Sequence, residues 1–153
     1  MYFFNIILLL NVDGLFTIVV VMIMNYIKRS TNGIEISHNG TTNYLKIGIR
    51  SYIDKLCIDN LSTFEGRIDA VKKKFNIKHK VPIYVDKNCI LFSTRSIRDY
   101  DVIYFNYFEI IEQVADGDNC VVYFKDGTYI SVNQSYKVVR KQILKTEYIL
   151  GNL

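Results

Sequence analysis

Apolar and polar positions alternate along several short segments of the chain, and turn-forming residues separate these segments. Asn39-Gly40, a pair typical of hairpin turns, lies between residues 33–37 and the alternating segment 43–50, which predicts a first β-hairpin. The same signals predict further hairpins and one longer strand. One hairpin is expected from segments 82–85 and 89–92, joined by a turn at Asp86-Lys87-Asn88. A longer strand is expected at 104–114, followed by a turn at 115–119. Another hairpin is expected from segments 121–124 and 128–132, joined by a turn at Lys125-Asp126-Gly127.

Three other segments have the spacing of amphipathic helices. The first begins at Ser51, and the S-x-x-E pattern of a capping box at residues 62–65 predicts the start of the second. The third has Ser135 as its N-cap, extends to Leu150 and is ended by Gly151. The apolar stripes expected to be buried are Phe64, Ile68, Val71 and Phe75 on the second helix, and Tyr136, Val139, Ile143 and Ile149 or Leu150 on the third. The pattern predicts an α+β fold, mainly antiparallel β-hairpins with two to three helices, in a single domain.

Residues 1–23 form an apolar leader that contains no Lys or Arg, and its only charged residue is Asp13. A secretory signal is excluded because the leader has neither a basic n-region nor a small-residue cleavage site. A membrane anchor is one open interpretation, since about 20 apolar residues span a bilayer, although an Asp near the centre costs about 2.5 to 3.5 kcal/mol. The interpretation we favour is a mis-called start, with translation beginning at Met22 or Met24 and a domain over residues 24–153.

The cysteine, proline and glycine content limits the function classes. One Pro and 8 Gly exclude a collagen-like chain or a long disordered linker. The three cysteines are odd in number and widely spaced at positions 57, 89 and 120, so we expect buried thiols in a reducing, cytoplasmic compartment rather than disulfides or a zinc site. No nucleophile elbow, phosphate-binding glycine loop or HExxH motif is present. We therefore expect no catalytic residues, no metal and no cofactor, and no enzyme.

Positive charge is concentrated in the middle of the chain. The net charge is only +4, but between residues 67 and 98 nine cations face two acids, Asp69 and Asp86. This local excess suits a surface that contacts phosphates, while RNA, an acidic protein and a membrane surface stay open as partners. A second basic face on the last helix, formed by Lys137, Arg140, Lys141 and Lys145, is expected only to solubilise the protein.

Several motifs, in order and at near-constant spacing, resemble the competence transcription factor (ComK) family over about residues 26–150. The residues that carry the resemblance are Ser62-Thr63-Phe64-Glu65-Gly66-Arg67, His79-Lys80-Val81-Pro82-Ile83, Asp86, Leu91-Phe92-Ser93-Thr94-Arg95-Ser96, Phe124-Lys125-Asp126-Gly127, Ser135-Tyr136 and Gln142-Ile143-Leu144-Lys145-Thr146. The resemblance implies a cytoplasmic, homo-oligomeric, DNA-binding activator of competence (DNA-uptake) genes. It also implies binding to A/T-rich double-stranded DNA from the minor-groove side, with RNA polymerase and a proteolytic adaptor as further partners.

The cation-rich segment and the matched motifs together give the candidate DNA-binding residues. They are Arg67, Lys72, Lys73, Lys74, Lys78, His79, Lys80, Arg95 and Arg98. We expect Arg67, Lys80, Arg95 and Arg98 to matter more for binding than the lysines of the last helix. Insertion into the minor groove is assigned to Arg95 or Arg98, because a guanidinium sheds water more readily than an ammonium.

The chain departs from the family pattern at a few positions. Ser93-Thr94 replaces the usual Pro-Thr pair, and Tyr104, Tyr107 and Glu109 stand where the family has a Trp and histidines. These departures leave the framework intact but predict a different choice of promoters. The competing hypothesis is a membrane-anchored regulatory or interaction protein whose basic surface meets anionic lipid or an acidic partner.

Overall fold

The computed structural model describes residues 5–10, 16–21 and 24–153 of the chain. In these described residues, eleven strands and three helices follow one another, with one 3₁₀ turn at Tyr107–Glu109. They are β1 (Asn5–Leu10), β2 (Phe16–Val21), β3 (Tyr26–Ser30), β4 (Gly33–His38), β5 (Thr41–Leu45), α1 (Ile49–Ile58), α2 (Phe64–Phe75), β6 (Ile83–Asp86), β7 (Cys89–Ser93), β8 (Ile103–Asn106), β9 (Ile110–Asp116), β10 (Asn119–Phe124), β11 (Tyr129–Val132) and α3 (Tyr136–Leu150).

The strands form two antiparallel sheets after residue 24, and β1 pairs with β2 in a separate antiparallel ribbon. The larger sheet has six strands in the order β5-β4-β3-β8-β7-β6, and the smaller has the order β11-β10-β9. Every hairpin predicted after residue 24 is present: β4 with β5, β6 with β7, and β10 with β11. The α+β class predicted from the sequence is therefore confirmed.

Strand β7 shows why the core has two sides. All five of its residues are buried, and successive side chains point to opposite faces of the sheet. Leu91 packs into the cluster that includes α1 and α2, whereas Phe92 packs with the small sheet and α3. Both faces of the six-stranded sheet are thus covered, and this arrangement holds the segments on either side of β7 in fixed positions.

The strand predicted over the alternating segment 43–50 ends earlier than we expected. Strand β5 stops at Leu45, and α1 already begins at Ile49. Ile49, Tyr52 and Ile53 are all buried in one cluster, which is helical spacing. The physical reason is that a short alternating run is also compatible with a turn followed by a helix, and burial of Ile49 beside Tyr52 and Ile53 favours the helix.

The prediction of one continuous strand at 104–114 is wrong, because the structure divides this segment into β8 and β9. Asn106 ends β8, and its side chain accepts a hydrogen bond from the Phe108 N–H at 3.4 Å, which caps the 3₁₀ turn. The same Asn106 side chain donates to the Met24 carbonyl oxygen at 3.1 Å. The turn carries the chain from the six-stranded sheet to β9 in the small sheet, so one apolar stretch supplies strands to two sheets.

The helix ends agree with the sequence in most respects. Ser135 caps α3 by accepting from the Val138 N–H, and Gly151 follows the last helical residue. At α2 the capping residue is Thr63 rather than Ser62, and it accepts from the Gly66 N–H at 2.9 Å. Tyr136, expected on the buried side of α3, is 39% exposed. It is the first residue of the helix, and the buried positions of α3 instead include the polar residues Gln142 and Thr146.

The interpretations of the apolar leader remain predictions. The polar interruption at Asn11, Asp13 and Gly14, on which they depend, lies outside the described residues. Within the described parts of the chain, no helix is long and apolar enough to cross a membrane.

Candidate nucleic-acid interface

A groove of about 600 Å³ opens between helix α2, the segment that follows it, and the loop after β7. Six of the nine candidate DNA-binding residues line it, namely Lys72, Lys78, His79, Lys80, Arg95 and Arg98. They come from three separate segments of the sequence. The fold therefore brings the C-terminal half of α2, its following turn and the β7–β8 loop to one surface.

The floor of this groove is largely apolar. Phe64 and Ile68 from α2, Val81, and Tyr104 from β8 contribute to it. Burial raises the pKa of the Tyr104 hydroxyl, so this group is neutral at physiological pH. Ser93, also in the lining, hydrogen-bonds the Arg95 carbonyl oxygen at 2.8 Å and so fixes the start of the loop.

The charged residues that line the groove are all basic. Among its lining residues in the described chain there is no Asp or Glu. Apart from Arg95, none of the groove cations takes part in an ion pair within residues 24–153. Like charges held together raise the local positive potential, which attracts polyanions. The cationic rim of the groove therefore suits contacts with phosphate groups.

Arg95 and Arg98 have different surroundings although both lie in the β7–β8 loop. Arg95 is partly buried, pairs with Asp99 at 2.9 Å and donates to the Asn133 carbonyl oxygen at 3.0 Å. Hydrogen bonds from the Asp101 N–H and from Arg95 hold the pKa of Asp99 below its ordinary value. Arg98 is exposed, and in the described residues it takes part in no ion pair. Of the two guanidinium groups, the one at Arg98 is the more available to a ligand.

Arg29 supports the site from outside the groove, and the sequence did not reveal it. It lies on β3, and its guanidinium donates to the carbonyl oxygens of both Ile97 and Asp99. These two bonds secure the β7–β8 loop from the side of the sheet. No local signal could have identified Arg29, because its partners lie about 70 residues later and approach it only through the pairing of β3, β8 and β7.

Three candidate residues on α2 lie outside the groove. Lys73 is exposed on the solvent side of the helix, and the Lys74 ammonium lies 5.5 Å from the centre of the Phe75 ring. Arg67 turns toward the protein and is half-buried. It donates to the carbonyl oxygens of Asn60 at 3.2 Å and Val85 at 3.4 Å.

The cysteines and histidines are dispersed over the fold. Cys57, Cys89 and Cys120 are free and buried, and burial raises the pKa of each thiol. His38 is buried while His79 is exposed at the groove. In the part of the chain that the structure describes, no group of three or more His, Cys, Asp or Glu side chains could hold a metal ion.

Comparison with known proteins gives one family and no individual relative. Neither the curated proteins nor the solved structures include a match to this chain. The family model described as ComK protein matches residues 16–153, nearly the whole chain, and so includes every motif on which the resemblance was based and all three segments of the groove. The chain therefore belongs to the ComK family, a family of competence-related transcription factors rather than of enzymes.

Proposed function

We propose that the protein activates competence (DNA-uptake) genes by binding A/T-rich double-stranded DNA with the groove described above. The observation that carries this proposal is the convergence of six candidate residues on one carboxylate-free groove in the described chain. Family membership supports the role in transcription, and the groove supplies a surface of suitable chemistry for DNA.

The lysines of the groove suit contacts with the sugar-phosphate backbone. Lys72, Lys78 and Lys80 are exposed and have no ion-pair partner in the described residues. An ammonium on a flexible stem acts as a point charge that follows a phosphate without reading a base. These contacts provide affinity that falls with salt, because each one releases condensed counterions from the DNA.

Arg98 is the residue we assign to the minor groove. A/T-rich tracts have a narrow minor groove with enhanced negative potential, and this potential attracts an inserted arginine side chain. Arg98 is exposed on a short loop that Arg29 and Arg95 secure. A secured loop loses little conformational entropy when it inserts, which favours binding.

Two departures from the family pattern lie in the groove itself. Ser93 and Tyr104 are both lining residues, and they stand where the resemblance predicts a Pro and a Trp or His. A change in the floor alters how deeply a DNA backbone can settle and how the β7–β8 loop is held. We infer that this protein selects different promoters from those of typical family members.

The remaining parts of the proposal rest on family membership. We infer that the protein works in the cytoplasm as a homo-oligomer, so that paired A/T-rich boxes are bound by paired copies of the groove. RNA polymerase and a proteolytic adaptor are further partners that the family resemblance implies. No cofactor is required for any of these contacts.

A binding titration tests the central proposal. Affinity of the purified protein for an A/T-rich and a G/C-rich duplex of equal length is measured by fluorescence anisotropy over a range of salt concentrations. We expect a steep decrease of affinity with salt and tighter binding of the A/T-rich duplex. Equal affinity for both duplexes together with strong binding to anionic vesicles would instead support the membrane or acidic-partner hypothesis.

A further inference from the structure

The basic face of α3 is joined to the rim of the groove by a direct contact. The Lys145 ammonium donates a hydrogen bond to the His79 carbonyl oxygen at 3.1 Å. His79 and the next residue, Lys80, line the groove. The contact therefore places the C-terminal half of α3 beside the turn that follows α2.

The backbone at Lys80 contributes to this arrangement. Lys80 has a φ of 47°, in the left-handed region that non-glycine residues seldom adopt. Such a conformation costs free energy and persists only where the surroundings hold it. The hydrogen bond from Lys145 to the preceding carbonyl is one interaction that holds this turn in place.

Three ammonium groups concentrate where the turn meets α3. Partial burial and the nearby charges of Lys141 and Lys80 lower the pKa of Lys145. Within residues 24–153, no ion pair joins a carboxylate to any of the three lysines. Mutual repulsion between close cations is unfavourable, and a bound anion would relieve it.

We propose that Lys80, Lys141 and Lys145 form a second contact site for the phosphate backbone of the same duplex that occupies the groove. This inference rests on the proposed function. The site extends the DNA footprint from the groove across the turn at His79 and onto α3. It also replaces the expectation that the basic face of α3 serves only to solubilise the protein.

The two parts of the footprint have different tasks. Lysines on a regular helix face meet phosphates, which carry no sequence information. The β7–β8 loop, which carries Arg98, is the part that can enter the minor groove of the DNA. The α3 site therefore adds affinity and salt dependence, and it leaves the preference for A/T-rich sequence unchanged.

Charge-removal variants of the full chain test this division. Lys141→Ala removes an exposed ammonium from a helix position where Ala is favourable, and Lys145→Met keeps the partly buried stem. Lys46→Ala is the matched control, because Lys46 is exposed between β5 and α1, does not line the groove, and follows the strand at the sheet edge opposite β6. Each variant is titrated with the A/T-rich and G/C-rich duplexes over a range of salt, and its thermal unfolding is compared with that of the parent protein.

We expect Lys141→Ala and Lys145→Met each to reduce the slope of log affinity against log salt by about one unit, with the A/T to G/C affinity ratio unchanged. Lys46→Ala is expected to leave the slope unchanged. If the parent protein binds A/T-rich DNA but Lys141→Ala behaves like Lys46→Ala, the α3 site is wrong while the proposed function stands. Loss of the A/T preference in Lys141→Ala would also overturn the division of tasks. A parent protein that binds no duplex would refute the proposed function itself.

Discussion

Arg95 forms an ion pair with Asp99 across the β7–β8 loop, with 2.9 Å between Nη1 and Oδ2. The two residues bracket Arg98, which is exposed. The same guanidinium also reaches the Asn133 carbonyl oxygen at the end of β11. Arg95 thus connects the loop of the groove to the small sheet, and its charge is largely occupied by protein groups.

This relationship predicts different results for the two loop arginines. Arg98→Ala is expected to weaken the A/T preference of DNA binding by about 1 to 3 kcal/mol without a change in thermal stability, because its side chain is exposed. Arg95→Ala is expected to weaken the same preference and also to lower the melting temperature, because the loop loses two anchoring contacts. Anisotropy titrations and thermal unfolding of each variant measure both effects.

A pair of multiple variants provides the control for this assignment. The double Ala variant at Arg95 and Arg98 is compared with the triple Ala variant at Lys137, Lys141 and Lys145. The assignment is wrong if the double variant keeps full A/T discrimination and stability while the triple variant abolishes binding. That result would place sequence recognition on α3.

Arg67 is predicted to act on stability. Its guanidinium donates to two carbonyl oxygens and lies 5.7 Å from the centre of the Tyr84 ring. Arg67→Met keeps most of the side-chain volume but leaves these carbonyls without their donor, so we expect the free energy of unfolding to decrease by about 1 to 3 kcal/mol. Urea unfolding measures this change. Lys73→Met, a change at an exposed site on the same helix, is the control and should be nearly neutral.

Asp126 is predicted to make stability depend on pH. Burial alone would raise its pKa, but hydrogen bonds from Thr128, Asn25 and Gly40 outweigh this effect and lower the pKa below its ordinary value. The pKa in the folded state is then below that of an unfolded chain, about 3.9. The carboxylate therefore stabilises the fold above that pH, and its contribution is lost as the pH falls through the folded-state pKa.

The variant Asp126→Asn isolates this effect. At pH 7 we expect it to lower the free energy of unfolding by about 1 kcal/mol, since a partly exposed carboxylate with several donors loses its charge. The difference from the parent protein should shrink as the pH falls through the folded-state pKa of Asp126, because the parent carboxyl then becomes protonated as well. Urea unfolding at pH 7 and at low pH measures it, and a difference that stays constant with pH would contradict the assignment.

The three cysteines are predicted to be unreactive in the folded protein. Cys57, Cys89 and Cys120 are buried, and burial raises the pKa of each thiol, so little thiolate is present at pH 7. A chromogenic disulfide reagent should label none of them rapidly in buffer and all of them in urea. Rapid labelling of one cysteine without denaturant would show that its part of the fold opens locally.

A protein that begins at Met24 is predicted to fold and to remain monodisperse. The six-stranded sheet, the small sheet and the three helices of the described residues lie after this residue. Met24 itself is buried beside Asn106, which donates to its carbonyl oxygen. Size-exclusion chromatography and circular dichroism of residues 24–153 measure this. Aggregation of the short form, with a full chain that is stable only in detergent, would favour the membrane anchor over the mis-called start.

The turns and helix boundaries are the features that local sequence predicted best. Asn39-Gly40 and Asp126-Gly127 lie at hairpin turns as expected, because a tight turn needs residues that tolerate unusual backbone angles. Ser135 caps α3 because its hydroxyl satisfies a free backbone N–H at the start of the helix. The ordered motifs also identified the family, which the match over residues 16–153 confirms. All of these signals act within a few residues of one another.

Local sequence signals could not predict the groove, because its residues come from separate segments. How close these segments lie in space depends on the order of the strands in the sheet. The excess of positive charge in the sequence identified the region between residues 67 and 98. That region includes Arg67, which turns toward the protein. It does not include Arg29, which secures the β7–β8 loop from β3. The contact between Lys145 and His79 likewise spans 66 residues. Local sequence specified the elements, the turns and the excess of positive charge. The packing of both faces of the six-stranded sheet decided which cations meet at one surface, because long-range contacts fix the side-chain positions that short-range propensities leave open.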